Sequence, residues 1–281
     1  MVVYKRVRVS QALVRSGLYD LDYALNPYAG CEHGCLYCYA RAYTRYRDAA
    51  ESWGKIVYVK ENIVEVLARE VRRRRPGVVG VSTVTDPYQP IEREEMLTRR
   101  CVQVLLHAGF HVSIQTKSDM VTRDLDILCE HRKRVDVGFT ITTLDDGTAA
   151  LIEPHAPPPS LRARALKEVA STGLETWVFL GPIIRGVNDS EENIRKIARL
   201  AADTGSTLYY DYLRIRPGVS LSLGALATIY PHVLSTDPAW RRAISRLVEN
   251  ICSEEGVKCV PAFPPKYEKQ TLDRFLAFDC P

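Results

Sequence analysis

Three cysteines, Cys31, Cys35 and Cys38, stand in the string NPYAGCEHGCLYCYA at residues 26–40, spaced C-x3-C-x2-C. Thiolates that close together in one loop can wrap one side of a metal centre. Gly30 and Gly34 directly precede the first two cysteines and supply the positive φ angles such a loop needs. A cubane iron–sulfur cluster held by three thiolates keeps an open position on one iron, where a small chelating molecule can bind. A tetrahedral zinc site needs a fourth ligand, and His33 is the one inside the loop. Spacing leaves both metals open, as well as structural cysteines clustered by coincidence. Tyr37 before the last cysteine and the surrounding β-α pattern weigh against zinc.

The chain has eight cysteines in 281 residues. In a reducing compartment the first group reads as metal-binding before it reads as disulfides. Cys101 and Cys129 fall among Val, Leu and Ile in helical patterns and read as small buried hydrophobes. Cys252, Cys259 and Cys280 match no ligand spacing. An auxiliary iron–sulfur or zinc site, a disulfide, and unrelated core cysteines are the three readings of that group.

The elements that must position these groups alternate. Strand-like stretches at 22–26, 78–83, 111–116, 135–142, 175–184 and 207–213 are nearly continuously apolar, which predicts strands covered on both faces. Amphipathic helical patterns occupy 61–75, 92–107, 123–132, 160–171, 191–204 and 238–255. Gly109, Gly173 and Gly205 sit where helices turn into strands, and Asp189 or Ser190 is a ready N-cap. Such alternation implies right-handed crossovers and a parallel sheet. Six strands are fewer than the eight of a closed TIM barrel. The pattern alone leaves a partial barrel and a doubly wound open sheet as alternatives. In both, the chemistry lies at the strand C-terminal ends. There the turns at 82–86, 115–118, 140–143 and 209–212 all carry hydroxyls or ionisable groups.

Hydrophobic residues make up 46% and charged residues 26%, which fits a packed core and excludes a disordered chain. No apolar run approaches the ~20 residues of a membrane span. The N-terminal MVVYKRVRVSQ lacks the apolar core of a signal peptide, so a cytoplasmic protein without a membrane partner is expected. A net charge of +4 is too small to argue for a nucleic-acid partner. Arg69 and 72–75 close a helical pattern and read as a solvated face favoured by the helix dipole.

The sequence resembles the radical S-adenosylmethionine (SAM) superfamily, in which C-x3-C-x-aromatic-C follows a first strand. Within it, NPYAGCEHGCLYCYAR resembles the spore photoproduct lyase-related branch of DNA repair photolyase-like proteins. The resemblance continues through STVTDPYQPIE (82–92), QTKSDMVTRDLDIL (115–128), TLDD (143–146), EPHAPPPSLR (153–162) and GPIIRGVND (181–189). It implies an α/β fold, a partial (β/α)6 TIM-type barrel of parallel strands, spanning 21–256. An N-terminal extension (1–20) and a C-terminal cap segment (257–281) would flank it.

The resemblance implies a 4Fe–4S cluster on Cys31, Cys35 and Cys38, with S-adenosylmethionine chelated at the open iron. An external one-electron reductant of ferredoxin or flavodoxin type would supply the electron. Reductive cleavage would then give methionine and a 5′-deoxyadenosyl radical that abstracts hydrogen from the substrate. By the same resemblance Tyr37 would lie near the adenine and the cluster. Ser82, Thr83 and Asp86 stand where the family has its G-G-E motif for the SAM amino group, and that motif is absent here. Thr140 and Thr142 would meet the ribose hydroxyls, and Ile183 would belong to a backbone contact with adenine. Arg162 would pair with the SAM carboxylate, against a plain reading as a surface charge at a helix start.

One departure bears on the substrate. Spore photoproduct lyase uses a further cysteine downstream of its cluster as hydrogen donor, and at that distance this chain reads Gly80-Val81-Ser82-Thr83. Thymine-dimer repair is therefore not carried over. A damaged base in DNA, met by a rim of Arg41, Tyr43, Arg45, Tyr46 and residues 209–216, is one substrate class. RNA, a peptide or a small metabolite is another, and a non-catalytic iron–sulfur or zinc protein is the third reading.

Overall fold

The computed structural model describes residues 1–216 and 218–263. Its strands are β1 (Val3–Val7), β2 (Leu13–Arg15), β3 (Tyr23–Leu25), β4 (Tyr28–Ala29), β5 (Ile56–Lys60), β6 (Val78–Val81), β7 (His111–Thr116), β8 (Val135–Thr140), β9 (Glu175–Ile183), β10 (Thr207–Tyr212) and β11 (Cys259–Pro261). Eight of them form one sheet in the order β11-β10-β9-β8-β7-β6-β3-β2. All neighbours pair in parallel except β2, which runs antiparallel to β3. The six expected strands are β3 and β6 to β10, adjacent in chain order. The sheet curls without closing, so the fold is a partial barrel with β2 and β11 as its two edges. Tyr19 Oη reaches across that opening to the carbonyl of Ala262 at 3.3 Å.

Two elements were not in the sequence reading. β11, in the stretch expected as a C-terminal cap, extends the sheet beside β10. A second sheet, β1-β5-β4, pairs the chain's first strand with residues more than fifty positions later. The expected N-terminal extension thus contributes β1 to that sheet and β2 to the main one.

The strands are not covered alike on both faces. Val112, Ile114, Val137, Phe139, Val178, Leu180 and Leu208 point outward under the helices and are fully buried. Ser113, Gln115, Asp136, Thr140, Trp177, Phe179, Tyr209 and Asp211 alternate with them and line the lumen. An accessible interior can carry polar groups that a packed one could not.

The covering helices form for local reasons. Helix Glu191–Asp203 buries Ile194, Ile197, Ala198 and Ala201, one stripe at helical spacing. Ser190 caps it by accepting a hydrogen bond from the Asn193 amide at 3.2 Å. Gly109, Gly173 and Gly205 have positive φ at helix-to-strand turns, as expected. Cys252 in helix Pro238–Glu254 is disulfide-bonded to Cys259 in β11, with Cα atoms 6.1 Å apart. Of the three readings of the C-terminal cysteines, this pair takes the disulfide, and Cys280 lies outside the described residues. Cys101 is fully buried in the core and Cys129 packs partly buried against it. Among the described residues no helix is long and apolar enough to cross a membrane.

Candidate functional site

The cysteine loop leaves β4 and is clamped along its length. Gly30 takes φ +83°, and a Cβ there would stand 2.4 Å from the Ile56 carbonyl oxygen, so only glycine lets the loop pass β5. Thr85 Oγ1 donates to the Gly30 carbonyl at 2.6 Å, and the Glu32 amide donates to Gln89 Oε1 at 3.0 Å. The Glu32 carboxylate accepts from the Ile91 amide and from Tyr4 Oη, both at 2.9 Å. These contacts fix the loop against the segment that leaves β6 and, through Tyr4, against β1.

Cys31, Cys35 and Cys38 are free thiols on the wall of one cavity of about 460 Å3, the barrel lumen. Burial pushes the pKa of all three up, that of Cys35 to about 12. They are neutral thiols until a metal takes them as thiolates. Among the described residues no three His, Cys, Asp or Glu side chains converge on a single ion. A cubane makes no such demand, because each of its thiolates holds a different iron. His33, the fourth ligand a zinc site would need, is buried with Nδ1 3.4 Å from Asp86 Oδ2. The donor set suits a 4Fe–4S cluster.

Ser82, Thr83 and Asp86 follow β6 on the same wall. Ser82 has φ +65°, and its buried hydroxyl makes no hydrogen bond. Asp86, by contrast, is committed. It accepts from Thr116 Oγ1 at 2.7 Å and from the amides of Lys117 and Tyr88 at 2.8 and 2.9 Å. Burial alone would raise its pKa. The charge and hydrogen bond of His33, with those from Thr116 and the Lys117 amide, outweigh it and hold the carboxyl at about 2. Asp86 therefore ties the turn after β7 to the cysteine loop.

Behind the wall lies a second network. Tyr37 Oη donates to Glu153 Oε1, Thr142 Oγ1 donates to the same oxygen at 3.1 Å, and Arg162 Nη2 sits 2.5 Å from Glu153 Oε2. Arg162 also donates to the carbonyls of Pro157 (2.8 Å) and Thr140 (3.2 Å) and has no exposed surface. This corrects the reading of Arg162 as a surface charge; the guanidinium is fully buried and is not among the residues lining the cavity. Thr142 points to Glu153 rather than into the lumen, and Ile183 is buried away from it while Gly181 and Pro182 line it. Thr140 does line it, accepting from Gln115 Nε2 at 3.0 Å. Burial would raise the pKa of Glu153, but the charges of Arg162 and Lys117 keep it ionised.

Lys117, not singled out in the sequence, is the cation of this wall. Its Nζ stands 5.6 Å from the centre of the Tyr37 ring. Burial alone would lower its pKa; Cys35 as a thiolate and the Glu153 carboxylate raise it, so it stays charged. The available signal was QTKS at the end of a strand, one polar turn among four.

The mouth carries Tyr39, Tyr43, Tyr212, Arg214 and Arg216. Asp211 pairs with Arg214 at 3.1 Å, whose guanidinium stands 5.0 Å from the Phe263 ring centre. Of the expected rim, Tyr43 and part of 209–216 line the cavity. Arg41 is turned to the carbonyls of Ala50 and Gly218 and to Ser222, while Tyr46 stacks on Tyr58 at 3.7 Å. Deeper in the lumen Asp136 accepts from Ser113 Oγ (2.6 Å) and Trp177 Nε1 (2.7 Å) and faces His111 Nε2 at 2.7 Å.

Residues 25–198 match the Radical SAM superfamily. An uncharacterized protein of Methanocaldococcus jannaschii is 30% identical over 232 residues, 82% of this chain and 85% of that protein. One from Acidianus two-tailed virus is 33% identical over 194 residues, 65% of this chain and 64% of its own length. Among solved structures, spore photoproduct lyase complexed with dinucleoside spore photoproduct gives a TM-score of 0.68 at 15% identity, covering 92% of this chain and 82% of the other. A radical SAM methyltransferase from Sphaerobacter thermophilus gives 0.56 at 18% identity, covering 85% and 65%. At these identities the structural likeness is one of fold. The family match spans more than half the chain, and the chain belongs to the radical SAM superfamily, whose members use a 4Fe–4S cluster, S-adenosylmethionine and an external one-electron reductant.

Proposed function

We propose that Cys31, Cys35 and Cys38 hold the cluster on the lumen wall and that SAM binds beside it, next to Lys117 and Ser82. The observation that carries this reading is the meeting of three free thiols, a charged lysine and an unpartnered buried hydroxyl in one cavity. When bound, the cofactors supply a one-electron cleavage of SAM that yields methionine and a 5′-deoxyadenosyl radical for hydrogen abstraction. Lys117 takes the carboxylate role first expected of Arg162, as a point charge at the end of β7. Ser82, Thr83 and Thr140 offer hydroxyls to the amino group and ribose. Asp86 and Glu153 act as positioning residues, one on the turn after β7 and the other on Tyr37.

The walls beyond these groups bear on the substrate. Trp177, Phe179, Tyr39, Tyr43, Tyr209 and Tyr212 give the lumen an aromatic lining that keeps water from a reactive intermediate and suits a flat unsaturated group. We therefore favour hydrogen abstraction from a nucleobase, a lesion-repair reaction in DNA being the first form of it. A second reading rests on the cysteines. The cavity holds no cysteine beyond Cys31, Cys35 and Cys38 among the described residues, so a repair scheme needing a thiol hydrogen donor finds none among them. That favours modification of RNA, a peptide or a small metabolite.

The deciding experiment is anaerobic reconstitution with iron and sulfide, reduction, and assay of 5′-deoxyadenosine with and without ultraviolet-irradiated DNA. Formation of the nucleoside supports the cofactor site, and stimulation by irradiated DNA supports repair. Formation indifferent to DNA turns the search to the second reading. An intact 4Fe–4S spectrum without any cleavage would leave a binding protein that does no chemistry.

A further inference from the structure

The face of the barrel opposite the cysteine loop carries a charge pattern that the cofactor chemistry does not use. Strands β6, β7 and β8 are adjacent and parallel, so the turns that enter them lie side by side at the sheet's N-terminal end. The turn into β6 carries Arg72, Arg73, Arg74 and Arg75, and the turn into β8 carries Arg132, Lys133 and Arg134. Of these, Arg72, Arg73, Arg75, Arg132 and Lys133 are exposed. The turn into β7 lies between them and is in contact with the turn into β8. His107 and His131 meet edge to face at 5.5 Å, Arg134 Nη2 lies 3.2 Å from His131 Nδ1, and a Cβ on Gly109 would sit 3.5 Å from Arg134 Nη1.

None of the seven cations has a carboxylate partner among the described residues. The nearby acids are otherwise engaged, Glu70 with the amides of Ala12 and Leu13 and Asp22 with that of Val78. Elsewhere arginines are paired, as Arg99 with Asp124 and Asp126 or Arg195 with Glu191, Glu254 and Glu255. These seven charges exceed the net charge of +4 for the whole chain, so the other residues together carry a net negative charge. A polyanion is therefore drawn to this face. Neighbouring strands lie about 4.8 Å apart, which places the outer two turns roughly 10 Å from each other.

We propose that this face binds the phosphate backbone of double-stranded nucleic acid without reading its sequence. Six of the seven side chains are arginines, whose forked guanidinium matches phosphate oxygens two at a time. The site is separate from the lumen and does not depend on the cofactors.

The test uses the full chain and a fluorescein-labelled DNA duplex of about 20 base pairs, titrated from low to moderate salt. One variant carries Arg72→Ser, Arg73→Ser and Arg75→Ser, and another carries Arg132→Ser and Lys133→Ser. All five positions are exposed, and unchanged circular dichroism would establish that each variant folds. The wild type is expected to lose affinity linearly in log Kd against log salt. Each removed contact should flatten the slope by about 0.9, and the triple variant should bind at least tenfold more weakly at low salt. Binding with unchanged affinity and slope in both folded variants would locate the duplex elsewhere and overturn the proposal. So would equal displacement of the duplex by polyglutamate, which would make the partner an acidic protein.

Discussion

Glu153 and Arg162 form an ion pair at 2.5 Å with neither side chain exposed, and the same carboxylate receives the Tyr37 phenol from the cysteine loop. The pair joins the end of helix Asp146–Ile152 to helix Pro159–Ser171, and through the Thr140 carbonyl to the end of β8. The orientation of Tyr37 is thus set by residues more than a hundred positions away.

Replacing Arg162 with Met leaves Glu153 charged and buried. The expected cost is about 3–5 kcal/mol in urea unfolding of the metal-free protein. A loss of SAM affinity with unchanged unfolding would instead show Arg162 to be a ligand.

Lys117→Met is expected to behave in the opposite way. SAM affinity of the reconstituted protein, read by equilibrium dialysis, should fall at least tenfold, about 1.4 kcal/mol. The urea midpoint should hold, and Lys117→Arg should recover part of the affinity. Full SAM affinity in Lys117→Met would refute the assignment.

His111 bonds to Asp136, and that bond raises its pKa above the usual histidine value. A histidine raised in the folded state stabilises fully below its unfolded pKa, near 6.5, and loses that contribution as pH climbs through the folded value. Both groups are partly screened, so the effect is about 1 kcal/mol or less. Wild type should exceed His111→Gln in Tm at pH 5.5, with the difference shrinking by pH 9. A constant difference would show that the charge has no part in it.

Alanine at Cys31, Cys35 or Cys38 should each abolish stoichiometric iron and sulfide after reconstitution, with loss of the charge-transfer absorption. Alanine at Cys101 should retain both and cost only the packing of one buried sulfur. Full cluster content in any of the first three variants would remove that cysteine from the ligand set.

Much of the barrel was legible because parallel strands and their covering helices announce themselves locally, through apolar runs, spacing and glycine turns. The small sheet was not, since β5 pairs with β1 and β4 at separations no local pattern records. The same limit governs the site. Cys31, Cys35 and Cys38 lie within one turn-rich loop and were visible as a group. Arg162 was misplaced because its destination depends on Glu153, and a helix-start arginine looks the same in sequence whether it faces water or a buried carboxylate. Thr142 was misplaced by strand parity: it lies just past the end of β8, where the alternation that brings Thr140 into the lumen no longer holds. Lys117 was overlooked because a lone lysine after a strand has no motif of its own.

A closed barrel has its girth dictated by strand number and stagger. Here the edges β2 and β11 do not pair, and the contact from Tyr19 to Ala262 spans the gap with a side chain instead of a ladder. Parting that seam would leave every strand-to-strand hydrogen bond among the described residues in place. The interior is thus open sideways between β2 and β11, and the disulfide from Cys252 fastens that second edge to the helix Pro238–Glu254.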